Sequence, residues 1–110
     1  MAKSIIQTDG VKECFLCRME AKKAGYYGSL RETGLHKHHF IYGRFGNFRK
    51  KAEKFGLWAY VCAERHHEHG PESPHGNHQV DLALKRIAQK AFEEKYGHER
   101  WMQEFGKNYL

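Results

Sequence analysis

The clearest hydrophobic pattern in this chain lies in its C-terminal third. Across residues 77–96, apolar side chains recur four, seven and eight positions apart, and the pattern then repeats, at Val80, Leu84, Ile87, Ala88, Ala91 and Phe92. This spacing keeps them on one face of an α-helix, which predicts a core-facing stripe. We expect Asn77 to cap this helix and Gly97 to end it, and we expect a shorter helix over residues 98–105 to end at Gly106.

The preceding part of the chain alternates short strands and helices. Strands are predicted over residues 35–42 and 57–62, and helices over residues 18–25 and 47–56. Asn47 is the expected N-cap of the second of these helices, and Gly56 lies just past its end. We expect residues 1–11 to form a loose arm, although Ile5 and Ile6 could add a short strand, and residues 70–76 to form a loop. This order predicts one α+β domain with a minimal sheet, spanning residues 1–110.

Length and composition narrow the class of protein. A core built from 110 residues is modest, so a structural metal would add meaningfully to its stability. The net charge of +6 favours a polyanionic partner such as nucleic acid, although a basic soluble protein would have the same charge. Three cysteines and the absence of a secretory leader at Met1 argue against a disulfide framework and for a cytoplasmic protein. No stretch reaches the roughly 20 apolar residues that cross a bilayer, so no membrane role is expected.

The cysteines are spaced like zinc ligands. Cys14 and Cys17 form a CxxC pair, and Cys62 precedes His66 by four residues, where a strand gives way to a helical turn. Thiolate and imidazole donors suit tetrahedral zinc, so we predict one structural zinc on these four residues. Two incidental buried cysteines are the plainer alternative. A redox pair would need a following βαβ pattern, which is absent from the sequence.

The histidines form a second group. Eight of the nine fall between His36 and His78, and His38 and His39 are adjacent in the first predicted strand. In a regular strand these two side chains point to opposite faces, so one can bind a metal while the other faces a substrate. The histidines not used by the zinc are therefore candidates for a second, open metal site.

The two groups together resemble the HNH endonucleases (His-Me finger, ββα-metal superfamily), in particular the small prophage-encoded members. Leu35-His-Lys-His-His-Phe-Ile41 takes the place of the family's Asp-His-Ile/Val segment, and Tyr60-Val-Cys62 with His66-His67 takes that of Leu-Cys-x-x-Cys-His. The resemblance covers residues 14–79 and implies a treble-clef-like ββα-metal core. It makes His39 the general base, His38 a metal ligand, His66 the replacement for the last zinc cysteine, and His67 a ligand of the catalytic metal.

Three departures from the family pattern leave alternatives open. The interval from Cys62 to His66 is one residue longer than usual, so His66 and His67 could exchange roles. The turn after His67 is longer than in the minimal motif, so the third ligand of the catalytic metal is His75 or, alternatively, His69. The middle Asn of the motif is unassigned, because Gly56 stands before the residue that opens the second strand.

The resemblance implies metal-dependent hydrolysis of DNA phosphodiester bonds by a phage or prophage protein. A divalent ion, Mg, Mn, Ni, Co or Zn, would be held by His38, His67 and His75, while neutral His39 accepts a proton from the attacking water. A different reading is a non-catalytic treble-clef zinc module that binds DNA or a recombination or packaging protein. Metal storage or redox chemistry fits the spacing less well.

Basic residues between the two predicted strands are candidates for DNA contact. Arg44, Arg49, Lys50 and Lys51 are interspersed with Phe45, Phe48 and Phe55, a mixture that can grip phosphates and stack on bases. The plainer alternative is that the charged residues form a solvated face and the phenylalanines pack in the core. Trp58, Tyr60 and Trp101 are predicted to be packing aromatics. Because so small a surface reads few bases, we expect weak specificity, a homodimer formed through the long helix, or a phage recombination or packaging partner.

Overall fold

The computed structural model describes residues 3–7, 12–30, 32–42, 47–63 and 77–110. Within these ranges the chain forms four helices and a two-stranded sheet, which confirms a small α+β fold. In chain order the elements are α1 (Phe15–Lys23), β1 (Leu35–His39), α2 (Phe48–Phe55), β2 (Trp58–Cys62), α3 (His78–Tyr96) and α4 (His98–Phe105). In the described part of the chain, no helix is long and apolar enough to cross a membrane.

Strands β1 and β2 form an antiparallel pair, which we call the hairpin although α2 lies in the connection between them. The two faces of this hairpin differ. Leu35 pairs with Cys62 at one end, and His39 pairs with Trp58 at the other. Because successive side chains alternate between faces, the side chains of Ala59 and Val61 share one face, where both residues are fully buried. We call this the inner face of the hairpin. The opposite, outer face carries Lys37 and His39 from β1 and Trp58 and Tyr60 from β2.

Strand β1 is shorter than the predicted strand over residues 35–42. The ladder ends at His39, after which one more hydrogen bond joins the Phe40 amide to the Leu57 carbonyl at 2.9 Å. Phe40 and Ile41, although adjacent, are both completely buried. A regular strand would have pointed one of them away from the core, so the chain leaves the strand conformation here.

The core lies between the hairpin and the C-terminal helices. Phe92 of α3 contacts the rings of Phe55, Trp101 and Phe105, with centroids 5.1, 5.4 and 5.8 Å apart. Leu84, Ala88 and Phe92 are fully buried, which confirms the predicted apolar stripe. The predicted caps are also present, since the Asn77 side chain accepts hydrogen bonds from the amides of Gln79 and Val80, and Gly97 and Gly106 end the two helices.

Both chain termini contact the body of the protein. In the expected loose arm, the Ile5 amide donates to the Gly56 carbonyl at 2.9 Å, and Gln7 Oε1 accepts from the Tyr60 amide at 3.1 Å. Residues 3–7 therefore lie along the edge of β2 that β1 leaves open. Gly56 is required by this contact, because its φ is +73° and a Cβ there would lie 2.2 Å from the Lys3 carbonyl oxygen.

The C-terminal residues dock on α3 through one buried amide. Gln89 is fully buried, and its Nε2 donates to Glu93 Oε2 and Asn108 Oδ1, each at 2.7 Å. Its Oε1 accepts from the Tyr109 amide at 2.6 Å. The predicted tail after Gly106 is thus held in place by the side chain of a core glutamine.

Candidate metal centre

Three cysteines from separate parts of the sequence meet at one point. The sulfur atoms of Cys14, Cys17 and Cys62 all lie within 4.8 Å of one another, and the Cys17 and Cys62 sulfurs are 3.8 Å apart. Zinc binds thiolate sulfur at about 2.3 Å, and two ligands at a tetrahedral angle around it would be separated by about 3.8 Å. The spacing of these sulfurs therefore fits a metal ion of this kind.

Local structure explains how the CxxC pair reaches this point. Cys14 is the N-cap of α1, and its sulfur accepts a hydrogen bond from the Cys17 amide at 3.3 Å. This bond begins α1 at Phe15, three residues earlier than the predicted helix, and places both sulfurs at the positive end of the helix dipole. Cys62, the last residue of β2, brings the third sulfur.

The protonation of the thiols indicates how a metal would bind. Burial raises the pKa of Cys14, although the Cys17 amide that points at its sulfur acts in the opposite direction. Burial and the two neighbouring sulfurs also raise the pKa of Cys17. The raised pKa values favour the protonated thiols of Cys14 and Cys17, so a cation would have to displace protons to bind there and would stabilise the thiolates in exchange.

Four further predicted ligands follow Cys62 in sequence and lie outside the described residues. They are His66, His67, His69 and His75, and the predicted DNA contact Arg44 lies outside as well. The described part of the site thus supplies three sulfur donors that could hold a metal ion.

His38 lies on the inner face of the hairpin. It is 2 % exposed, and its ring packs against Phe40 and Tyr42 with centroids 5.8 and 5.9 Å away. The Tyr42 hydroxyl donates to Asp81 Oδ1 at 2.9 Å, and Lys85 pairs with the same carboxylate. His38 is therefore close to a polar cluster that joins the end of β1 to the first turns of α3.

His39 points to the outer face, as expected for a residue that follows the inward-facing His38 in a regular strand. Its Nε2 lies 3.5 Å from Glu53 Oε1 in α2, and Lys37 Nζ is 2.9 Å from both oxygens of that carboxylate. Burial lowers the pKa of His39, Glu53 raises it, and the charges of Arg49 and Lys37 lower it further. The net result is a pKa below the ordinary value, so the ring favours its neutral form.

Sequence reasoning missed Glu53 as a partner of His39. The residue stands one turn before the end of the predicted helix over residues 47–56, and nothing in its spacing from His39 indicates contact. Only the packing of α2 against β1 brings them together. The general expectation that an active-site histidine needs an orienting group was the available signal.

The basic and aromatic residues of α2 divide between solvent and core. Arg49 and Lys50 are exposed, whereas Lys51 Nζ donates to the Glu104 carbonyl of α4 at 2.6 Å. Phe55 is 7 % exposed and, like Phe48, packs against Phe105. The phenylalanines of α2 are thus packing residues, in agreement with the plainer alternative that placed them in the core.

Comparisons of the chain with protein-family models, with curated proteins and with solved structures find no match.

Proposed function

We propose that this protein is a metal-dependent endonuclease of the HNH type that hydrolyses DNA phosphodiester bonds. The observation that supports the proposal most is the position of His39 at the end of β1, with its Nε2 beside Glu53 and its pKa lowered. A neutral histidine beside a carboxylate is the usual arrangement of a general base near neutral pH. The antiparallel hairpin and the later helix α3 supply the order of elements that a ββα-metal site needs.

A structural zinc would hold this unit together. We assign Cys14, Cys17 and Cys62 as three of its ligands and His66 as the fourth, with His67 as the alternative. The three sulfurs join α1 to the end of β2, so the ion would cross-link two elements of a small fold. Closed tetrahedral sites of this type contribute directly to folding.

His39 would act as the general base. Glu53 lies 3.5 Å from Nε2 and would orient the ring, so that Nδ1 would accept the proton of a water molecule as that water attacks phosphorus. A divalent ion on His38, His67 and His75 would supply Lewis-acid stabilisation of charge on the phosphate. Because His38 is buried on the inner face and His39 lies on the outer face, the scissile phosphate would lie at the end of β1 beside His39, the less buried of the two.

Plasmid cleavage tests the proposal. Purified protein, His39→Ala and the matched control His36→Ala are assayed with Mg, Mn, Ni, Co and Zn. His36 is exposed and lies in the same strand, so its loss is expected to leave cleavage within about twofold. Loss of a general base is expected to lower the rate about 100-fold or more. Equal cleavage by wild type and His39→Ala, or none by wild type with any ion, would refute the proposal.

A non-catalytic treble-clef zinc module is the second candidate, and Gly56 favours it. The HNH motif has Asn where this chain has Gly56, and a Cβ at that position would lie 2.2 Å from the Lys3 carbonyl oxygen. No asparagine fits here without moving residues 3–7. Metal stoichiometry separates the two functions. A second, weaker divalent site that His38→Ala abolishes indicates the nuclease, and a single tight zinc indicates the binding module.

A further inference from the structure

The outer face of the hairpin carries two aromatic side chains that sequence analysis assigned to packing. Trp58 and Tyr60 are only partly buried, and their rings meet edge to face with centroids 5.6 Å apart. Trp101, in contrast, is fully buried among the rings of α3 and α4. The hairpin therefore exposes aromatic surface on the side that faces away from the core.

Cations surround this aromatic surface. Lys37 Nζ lies 4.0 Å from the centre of the Trp58 ring, and Lys12 Nζ lies 5.0 Å from that of Tyr60. The exposed Arg49 stands one helical turn before Glu53, and its charge acts on His39. Three cations thus border the face, and the Glu53 carboxylate, which is paired with Lys37, opposes their charge.

The register places this surface beside the proposed base. His39 is directly opposite Trp58, and Lys37 is directly opposite Tyr60, so all four side chains share one face. A polymer lying along Trp58 and Tyr60 would therefore pass His39.

We propose that the outer face binds single-stranded nucleic acid, with bases on Trp58 and Tyr60 and phosphates along Lys12, Lys37 and Arg49. In a duplex the flat faces of the bases are stacked on one another, so only unpaired bases can stack on these rings. The flanking cations match the charge of the backbone. The inference rests on the proposed nuclease function and names its substrate class as a single strand.

Binding is measured with cleavage removed. Fluorescence anisotropy of a labelled oligothymidine in the His39→Ala background is compared with that of a duplex of equal length. The single strand is expected to bind about tenfold more tightly. Trp58→Ala is expected to weaken single-strand binding about tenfold, and Trp58→Phe, which keeps an aromatic face, by only a few fold. Tyr27→Ala is the matched control, since Tyr27 is 74 % exposed and lies outside the hairpin.

Two further measurements do not depend on how Trp58→Ala folds. Lys12→Gln changes an exposed side chain and is expected to reduce the salt dependence of binding by about one phosphate contact. Tryptophan emission gives an independent test, because oligothymidine should quench Trp58. In Trp58→Phe only the buried Trp101 emits, and its emission should stay unchanged.

Equal affinity for single strand and duplex, or equal binding by Trp58→Ala and Tyr27→Ala, would overturn the inference. Its failure can be told apart from failure of the nuclease proposal. Cleavage that is confined to duplex DNA and unchanged by Trp58→Ala would support the nuclease proposal and refute the single-strand site. Tight, Trp58-dependent binding of single strands without cleavage under any metal would support the single-strand site and refute the nuclease proposal.

Discussion

Replacing Cys17 by serine should destabilise the protein only when zinc is bound. The Cys17 sulfur lies 3.8 Å from that of Cys62, at the separation expected of two zinc ligands. A neutral serine hydroxyl is a poor zinc ligand but occupies nearly the same space as a thiol. Because burial and the neighbouring sulfurs raise the pKa of Cys17, the metal-free protein already holds a neutral group at this position.

The expected magnitude follows from the number of ligands. Structural zinc binds with about 10–16 kcal/mol at neutral pH, so each of four ligands accounts for about 2.5–4 kcal/mol. That is a large fraction of the roughly 5–15 kcal/mol by which a domain is stable. For a chain of this size the loss corresponds to a fall of about 10 °C or more in Tm.

The assay is thermal unfolding of wild type and Cys17→Ser, each with stoichiometric zinc and with a chelator. Ala21→Ser, one turn further along α1, is the control for a hydroxyl introduced into that helix. With zinc the two proteins should differ by the full amount, and with chelator they should unfold within about 2 °C of each other.

Two results would refute this reasoning. Equal destabilisation by Cys17→Ser with and without zinc would make Cys17 an ordinary packing residue. A wild-type Tm that chelation leaves unchanged, in protein shown by elemental analysis to have carried zinc, would mean that the ion does not support the fold.

Three further predictions concern the base, the N-terminal segment and the C-terminal tail. Since the pKa of His39 is lowered from its ordinary 6.5, the acid limb of kcat/KM should lie below pH 6.5. Glu53→Gln removes a charge that raises this pKa and should move the limb to still lower pH; a move to higher pH would contradict the electrostatics. Gly56→Ala should cost about 1–3 kcal/mol in urea unfolding, because its φ is positive and the new methyl would meet the Lys3 carbonyl; an unchanged midpoint would count against this contact. Gln89→Leu should cost about 1–3 kcal/mol by leaving the groups it bonds without their buried partner, and amide exchange at Tyr109 should accelerate; slow exchange there would show that the tail docks by other means.

Local patterns predicted the helices well. The long helix from His78 to Tyr96 follows from its apolar spacing, and the effects of Asn77, Gly97 and Gly106 follow from capping, which involves only residues a few positions away. The convergence of Cys14, Cys17 and Cys62 was also predictable, because metal ligation restricts both residue type and spacing.

Features that depend on tertiary contact were not predictable in the same way. Strand β1 ends early because both Phe40 and Ile41 enter the core, which no alternation pattern indicates. Glu53 meets His39 only because α2 packs against β1. Trp58 and Tyr60 are residue types that usually pack in a core. They are partly exposed because they lie on the outer face of the hairpin.

The N-terminal segment has a further consequence for how metal and fold communicate. Gln7 accepts from the Tyr60 amide in β2 through Oε1, and its Nε2 donates to the Glu13 carbonyl, one residue before Cys14. The Gln7 side chain thus bridges the open edge of the sheet and the residue that precedes the Cys14–Cys17 pair. An ion bound by Cys14 and Cys17 would therefore be thermodynamically linked to closure of the sheet edge. Loss of the ion would loosen a strand edge that can pair with other chains, making metal starvation a route to aggregation.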